Sequence, residues 1–411
     1  MKTLSPDQVT EQLGRLKVAL VYDRANTAHG GAEKVLLALH QLLPQAPLLT
    51  SVYHPRAQWA DRFRVVTSWL DKIPGASNRH RALAWAMPLA FESLDLSGFQ
   101  VVVSVTSAEA KGVITKPDQL HCCYLLSPPR YLYSHRGEHL RHSPLSRLPG
   151  GRAITGAALS YLEWWDQVAI HRPDVVVPIS RRVNQRLKKY YPQLAPSRRQ
   201  PVIYPPVTVP TNRRQPRVSL PATFALVVSR LVMYKRLDLA VTACRRLKLP
   251  LVVVGTGPDR TRLERLADGG MTTFINTASD QEVAWLMSRA QALLMPGEED
   301  FGITALEAVG QGTPVVLNRR SGVSELLKAG VHGELIDRVG ESTVTAATRR
   351  AVATNYQTAI MRATAQKYNT SRFQERFGRL LLAAYHSARR HPPETASTLR
   401  NYIKLSSHVN R

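Results

Sequence analysis

Short apolar runs, each followed by a loop and a stretch of helical periodicity, recur along this chain of 411 residues. That alternation restricts the fold more than any other feature. A run that is apolar throughout fits a strand buried on both faces, and strands separated by helices pair in parallel. In the first half such runs lie at 17–22 (KVALVY), 100–105, 120–126 and 174–179; in the second they lie at 224–229, 251–254, 273–276, 290–295 and 315–318. Helical stretches at 34–43, 154–170, 181–191, 237–247, 259–267 and 280–289 separate them. Residues 201–216 contain five prolines and read as a linker. The expectation is an α/β protein with two doubly wound parallel-sheet domains, 1–205 and 206–370. Residues 371–411 are expected to supply an amphipathic helix that packs back toward the N-terminal domain, then a polar tail.

Ligands of such sheets sit beyond the carboxyl ends of the strands. The most informative stretch there is 296–314, PGEEDFGITALEAVGQGTP, which turns from strand to helix. Glu299 falls in the loop, and Glu307 lies within a helix expected to begin near Ile303 and stop at Gly312. The amides of Phe301, Gly302 and Ile303 would point out of the helix N-terminus, and Gly302 permits close backbone approach. Fixed N–H donors beside two carboxylates suit a ligand with many hydroxyls and an anionic group, which describes a sugar nucleotide. Arg230 and Lys235, after the 224–229 strand, and Gly255, after the 251–254 strand, fall on the same rim. In the N-terminal half Gly30 and Gly31 follow a strand and open a helix, a second candidate anion site for which a plain tight turn is the competing reading.

Three cysteines, two of them adjacent, exclude a disulfide framework and fit a reducing compartment. The N-terminus lacks a signal-peptide core, and no apolar run is long enough to span a bilayer. A cytoplasmic protein is expected, free or peripheral on the cytosolic face of a membrane. The 55 Lys and Arg against 30 Asp and Glu leave a net charge of +25. Such a surplus suits an anionic partner, whether nucleic acid, anionic lipid or a phosphorylated substrate, or it serves solubility alone. Residues 82–91 (ALAWAMPLAF), preceded by Arg79, His80 and Arg81, read either as a buried helix or as an interfacial segment. Arg130, Arg136, Arg141, Arg147 and Arg152 run through a Pro/Gly/Ser-rich stretch and are expected on a basic acceptor loop.

The segments HGGAEKVL, VIYPPV, VSRLVMYKRLD, VVVGTGP and PGEEDFGITALEAVGQGTPVV occur along the chain. With them the sequence resembles the retaining nucleotide-sugar glycosyltransferases of family 4 over roughly residues 17–390. The likeness is greatest to bacterial surface-polysaccharide and glycolipid transferases, where AKGVITKPDQLH and SPPRY have counterparts. The resemblance implies a GT-B fold: two Rossmann-like domains facing across a cleft, with the donor held by the C-terminal one. It implies a hexosyltransferase that takes a UDP- or GDP-linked sugar and passes it to a lipid-linked or polysaccharide acceptor. Arg230 and Lys235 would neutralise the donor diphosphate as its leaving-group charge grows. Glu307 would bind the ribose hydroxyls, and Glu299 would contact the transferred sugar with the amides of Phe301, Gly302 and Ile303 assisting. Gly255 belongs to the same donor site, and Gly30 and Gly31 would let the first-domain backbone approach the phosphates. Retention in the family implies front-face, ion-pair-like substitution, in which the donor phosphate helps deprotonate the acceptor.

No Asp-x-Asp metal motif occurs in the sequence. With two cations available, neither a metal nor another cofactor is expected. Where related transferases carry a His before Thr-Pro, this chain has Leu126 before Ser127 and Pro128, which makes Leu126 and Ser127 the candidate sugar contacts. That departure leaves open either the usual donor or the activity itself, and an apolar contact suits a 6-deoxy sugar. Two other readings compete: a non-catalytic nucleic-acid or membrane-surface binding protein on the same scaffold, favoured by charge and Leu126, and a GT-B nucleotide-sugar epimerase.

Overall fold

The computed structural model describes residues 5–27, 30–80, 82–142, 146, 148–267 and 269–390. Arg81, Arg147 and the polar tail anticipated above lie outside them. The first sheet is built from β1 (Val18–Tyr22), β2 (Leu48–Thr50), β3 (Val65–Thr67), β4 (Val101–Thr106), β5 (Leu120–Leu125) and β6 (Val175–Pro178). The second comprises β7 (Ala225–Val228), β8 (Leu251–Val254), β9 (Thr272–Ile275), β10 (Ala292–Met295), β11 (Val315–Asn318) and β12 (Gly333–Ile336). Their orders are β3-β2-β1-β4-β5-β6 and β12-β11-β10-β7-β8-β9. Every pairing is parallel. Numbered within its own half, the second order is the first reversed, so both sheets have the doubly wound Rossmann arrangement.

The strands are apolar because helices cover both faces; in β1, β4, β5 and β6 every residue is buried. Each sheet has one place where the chain reverses its direction of travel, between β1 and β4 in the first and between β7 and β10 in the second. Loops leaving those two strands diverge to opposite faces, and the gap between them is where doubly wound sheets hold ligands.

Contacts divide the chain into two compact units, the second running Pro205–Arg372. The first is completed by the helix Thr370–Arg390, most of which belongs to it. Phe373 and Phe377 of this helix each set their rings 5.7 Å from Tyr124 on β5. Gly378 faces Val9, Leu13 and Leu42 so closely that a Cβ there would stand 2.8 Å from the Val9 side chain. The helix Gly151–Ala169 is pinned from inside: Lys111 Nζ reaches Asp166 Oδ1 at 2.5 Å, both buried. Tyr133 and Tyr191 donate to the other oxygen of Asp166 at 2.7 and 2.6 Å. Breaking such a pair by removing one partner costs about 3–5 kcal/mol, because it strands the other charge.

Two expectations change here. The stretch bearing the arginines at 130–152 contains the helix Arg136–His142 and the first turn of Gly151–Ala169, and Arg136 is paired with Glu163. Within 82–91, Met87, Pro88, Ala90 and Phe91 are buried while Trp85 and Leu89 are exposed.

His121 on β5 lies wholly buried, its Nε2 2.8 Å from the Ser104 hydroxyl. Burial, with Arg172 adding to it, pushes the imidazole from its ordinary 6.5 down to about 3. The folded unit therefore keeps it neutral while the unfolded chain takes up a proton below about pH 6.5. Stability is intact above that pH and is lost as the pH falls toward the folded value. Relative to His121→Gln, the wild-type protein is expected to lose about 1.4 kcal/mol per pH unit below about pH 6, read from urea unfolding. A difference that stays constant with pH would refute this.

Candidate functional site

The loop after β7 runs from Ser229 through Arg230 to the short turn Met233–Lys235, and it is held by glycines on both sides. Gly255, with φ +136, lies where a Cβ would stand 2.0 Å from the Ser229 carbonyl oxygen. Gly257, with φ +159, lies where one would stand 2.1 Å from that of Leu231. On the other side a Cβ at Gly297 would meet the Lys235 Cα and carbonyl oxygen at 2.5 Å. These contacts are backbone on backbone, so side-chain adjustment cannot relieve them. The loops after β7, β8 and β10 thus stack against one another at the carboxyl end of the second sheet.

This stacking brings Lys235 to Glu299, whose side chains form an ion pair at 13% and 15% exposure. Lys235 also lies over the Tyr234 ring, 5.3 Å from its centroid, and Arg230 donates to the Tyr234 hydroxyl at 3.2 Å. The acidic loop is strapped to the segment after β11. The Glu299 amide donates to Ser321 Oγ at 3.1 Å, its carbonyl accepts from the Gly322 amide at 3.1 Å, and that of Phe301 accepts from Val323 at 2.8 Å. Asn318 Nδ2 reaches the Pro296 carbonyl at 3.3 Å. Gly302 caps the helix Ile303–Gln311 at φ +99, without a side-chain hydrogen bond, and Glu307 lies in that helix, buried at 7% exposure. Phe301 turns its ring inward, buried.

Arg230, Lys235, Glu299, Phe301, Gly302 and Ile303 therefore follow the two strands that flank the reversal point of the second sheet, β7 and β10. Gly255 supports the first loop from below. Gly257, Gly297, Ser321 and Tyr234 complete this rim and were not singled out from sequence. The Gly-x-Gly spacing of Gly255 and Gly257 was a readable signal; the contact of Gly297 with Lys235 was not, because it joins residues far apart in the chain.

The first unit has its own rim at the β1–β4 reversal. Asp23, buried after β1, accepts from Thr106 Oγ1 at 2.6 Å and from the amides of Ser107 and Ala110 at 2.8 and 2.9 Å. Arg24 pairs with Glu109 at 2.8 Å, and Tyr131 donates to the same carboxylate at 2.8 Å. Burial pushes the Glu109 carboxyl above its usual range, with Arg24 opposing the shift. Gly30 caps the helix Gly31–Leu42 in extended conformation, with Gly31 its first residue. The Glu33 carboxylate folds back beside Gly30 and accepts from Tyr22 and Thr27 at 2.8 and 3.0 Å. The helix terminus read above as an anion site thus already has a carboxylate of its own beside it. Leu126 is half-buried after β5, its amide donating to the Thr106 carbonyl at 2.8 Å. Ser127 is buried, its hydroxyl donating to the Pro128 carbonyl at 2.8 Å.

The family model described as "Glycosyl transferases group 1" matches residues 209–369, the segment that holds this second rim. A GDP-mannose-dependent alpha-(1-6)-phosphatidylinositol dimannoside mannosyltransferase of Mycobacterium tuberculosis is 44% identical over 81 residues, 19% of this chain and 21% of that one. A D-inositol 3-phosphate glycosyltransferase of Mycolicibacterium paratuberculosis is 32% identical over 154 residues, 33% of this chain and 35% of that one. The matched regions thus span only about a fifth to a third of these relatives. Among solved structures, HepE of Anabaena in complex with UDP superposes with a TM-score of 0.63 at 14% identity, covering 90% of this chain and all of that one. That likeness shows the fold, which is GT-B.

Gly297→Ala is expected to destabilise the second unit by about 1–3 kcal/mol, measured by urea unfolding, because the new methyl meets the Lys235 backbone. Gly156→Ala, whose Cβ meets nothing within 4 Å, leaves stability unlowered. Equal effects of the two substitutions would refute the stacking.

Proposed function

We propose that this chain is a retaining glycosyltransferase that moves a sugar from a nucleotide diphosphate to a lipid-linked or polysaccharide acceptor, without a metal ion, on the cytosolic side of a membrane. The observation that carries the reading is the Lys235–Glu299 ion pair beside Arg230 at the reversal point of the second sheet, within the segment matched by the group 1 family. Two cations beside a partly buried carboxylate fit a substrate that joins a diphosphate to a polyol.

When the glycosidic bond to the donor breaks, negative charge collects on the leaving diphosphate. Arg230 and Lys235 stabilise that charge as it develops, which lowers the barrier instead of merely tightening binding. Glu299, held through its own amide and carbonyl by the 321–322 segment, can exchange its contact with Lys235 for sugar hydroxyls. Glu307, projecting from the helix one turn further on, takes the ribose hydroxyls. The acceptor attacks from the side of the departing phosphate, whose oxygen receives its proton, so no protein nucleophile is needed. Support for a nucleotide-linked donor comes from the GDP-mannose dependence of the mycobacterial relative and the UDP held by HepE. These two point to different bases, so the base, the sugar and the acceptor are left to a screen.

The test is transfer or donor hydrolysis across UDP- and GDP-sugars. Lys235→Ala is expected to lower kcat about 10²–10³-fold, and Glu307→Ala to weaken nucleotide diphosphate binding about 10- to 100-fold. Undiminished turnover in both variants would sink the site assignment. Tight, salt-sensitive DNA binding with no nucleotide affinity would replace the enzyme by a binding protein.

A further inference from the structure

The helix Gly151–Ala169 carries two seams. The inner one, Thr155, Leu159, Leu162, Asp166 and Ala169, is buried in the first unit. An outer one is displaced by one residue, and so by about 100° around the helix. It runs Ile154, Ala157, Tyr161, Trp164 and Val168, and every member is exposed. Spacings of three and four align these side chains in a row about 21 Å long. Trp164 is 64% exposed and Ile154 59%, so the large side chains are not merely grazing the surface.

The neighbourhood extends the row. Ala84 packs against the cluster of Leu159 and Leu162, and Trp165 Nε1 donates to Glu92 at 2.7 Å. The 84–92 segment therefore lies alongside the helix, presenting Trp85 at 62% and Leu89 at 59% exposure. Trp69, Trp85 and Trp164, the tryptophans exposed among the described residues, all belong to the first unit. Cations stand at both ends of the row. Arg152 is exposed on the first turn. At the last turn, Gln167 Nε2 donates to the Tyr190 carbonyl at 2.9 Å, which brings the end of the helix Arg181–Tyr190 alongside with its exposed Lys188 and Lys189.

We propose that this face of the first unit docks on an anionic membrane surface. Trp164 and Tyr161 sit at headgroup depth, the aliphatic members reach the acyl boundary, and Arg152, Lys188 and Lys189 meet the anionic headgroups. Two observations select a bilayer over a second copy of the chain. The seam's two largest members are the amphipathic aromatics that favour membrane interfaces. A second copy would also set the same cations against themselves in a chain of net charge +25, whereas anionic lipid complements them. The inference is independent of the proposed reaction, since a vesicle requires no donor.

The experiment is flotation of the full chain with vesicles of phosphatidylcholine alone or with about a third phosphatidylglycerol, at low and high salt. The wild type is expected to bind the anionic vesicles at least about tenfold more tightly, with high salt weakening the binding. Tyr161→Ser combined with Trp164→Ser, and separately Ile154→Glu at the far end, are each expected to lower that binding about tenfold or more with unchanged melting temperature. Ile360→Ser, which removes an exposed apolar residue of the second unit, leaves it unchanged. Failure of the wild type to bind, binding undiminished in both seam variants, or an equal loss with Ile360→Ser would overturn the proposal. So would a wild-type dimer in sedimentation velocity that the double variant makes monomeric, since the occupant would then be a second copy.

Discussion

The rim of the second unit depends on backbones meeting at distances that no side chain permits. A Cβ at Gly255, Gly257 or Gly297 would stand 2.0 to 2.5 Å from a carbonyl oxygen of the loop that carries Arg230 and Lys235. Three loops from three strands are thereby stacked without intervening side chains. Long, flexible lysine and arginine side chains gain defined positions only when their own backbone is immobilised, and here glycines do that on both flanks. The ion pair of Lys235 with Glu299 is a consequence of the stacking, since Gly297 brings the acidic loop against the Lys235 backbone.

The two sheets share a strand order, yet the first and second reversal points are furnished in opposite ways. In the first, Asp23 spends both carboxylate oxygens on the loop after β4, and Glu33 lies beside the helix cap at Gly30. Those acids organise their own loops. In the second, the cations Arg230 and Lys235 face the reversal, with the acids following from β10. The same architecture thus buries an acid as internal scaffolding in one unit and sets a cation against an acid between two loops in the other.

Most of both sheets was legible because the central strands are apolar throughout, a pattern that comes from burial on both faces. Four strands of the first sheet and five of the second stand out in this way. The exceptions are informative: β2 and β3 have three residues each, and β12 carries Glu334 and begins at a glycine. Strands so short or so near an edge lack the run of burial that marks their neighbours. The Arg136–His142 helix was hidden by a run of arginines and histidines whose periodicity is polar, and it is held by pairing with Glu163 on another helix. At the candidate site, Glu299, Glu307, Arg230 and Lys235 could be found because strand-to-loop transitions are visible in sequence. What could not be read was which loops touch, because Gly297 against Lys235 and Ser321 against Glu299 are matters of strand order. Nor was the inward turn of Ser127, set by its hydrogen bond to the neighbouring carbonyl.

The helix Thr370–Arg390 closes the first unit over Tyr124, Val9, Leu13 and Leu42 from the far side of the whole second unit in sequence. A ribosome releases the chain at about 5–20 residues per second. Residues 5–204 must then wait on the order of ten seconds or more for the helix that covers their apolar face, while residues 205–372 can complete their core first. During that interval Tyr124 lacks the rings of Phe373 and Phe377 that cover it in the folded unit. The half synthesised first is the half finished last.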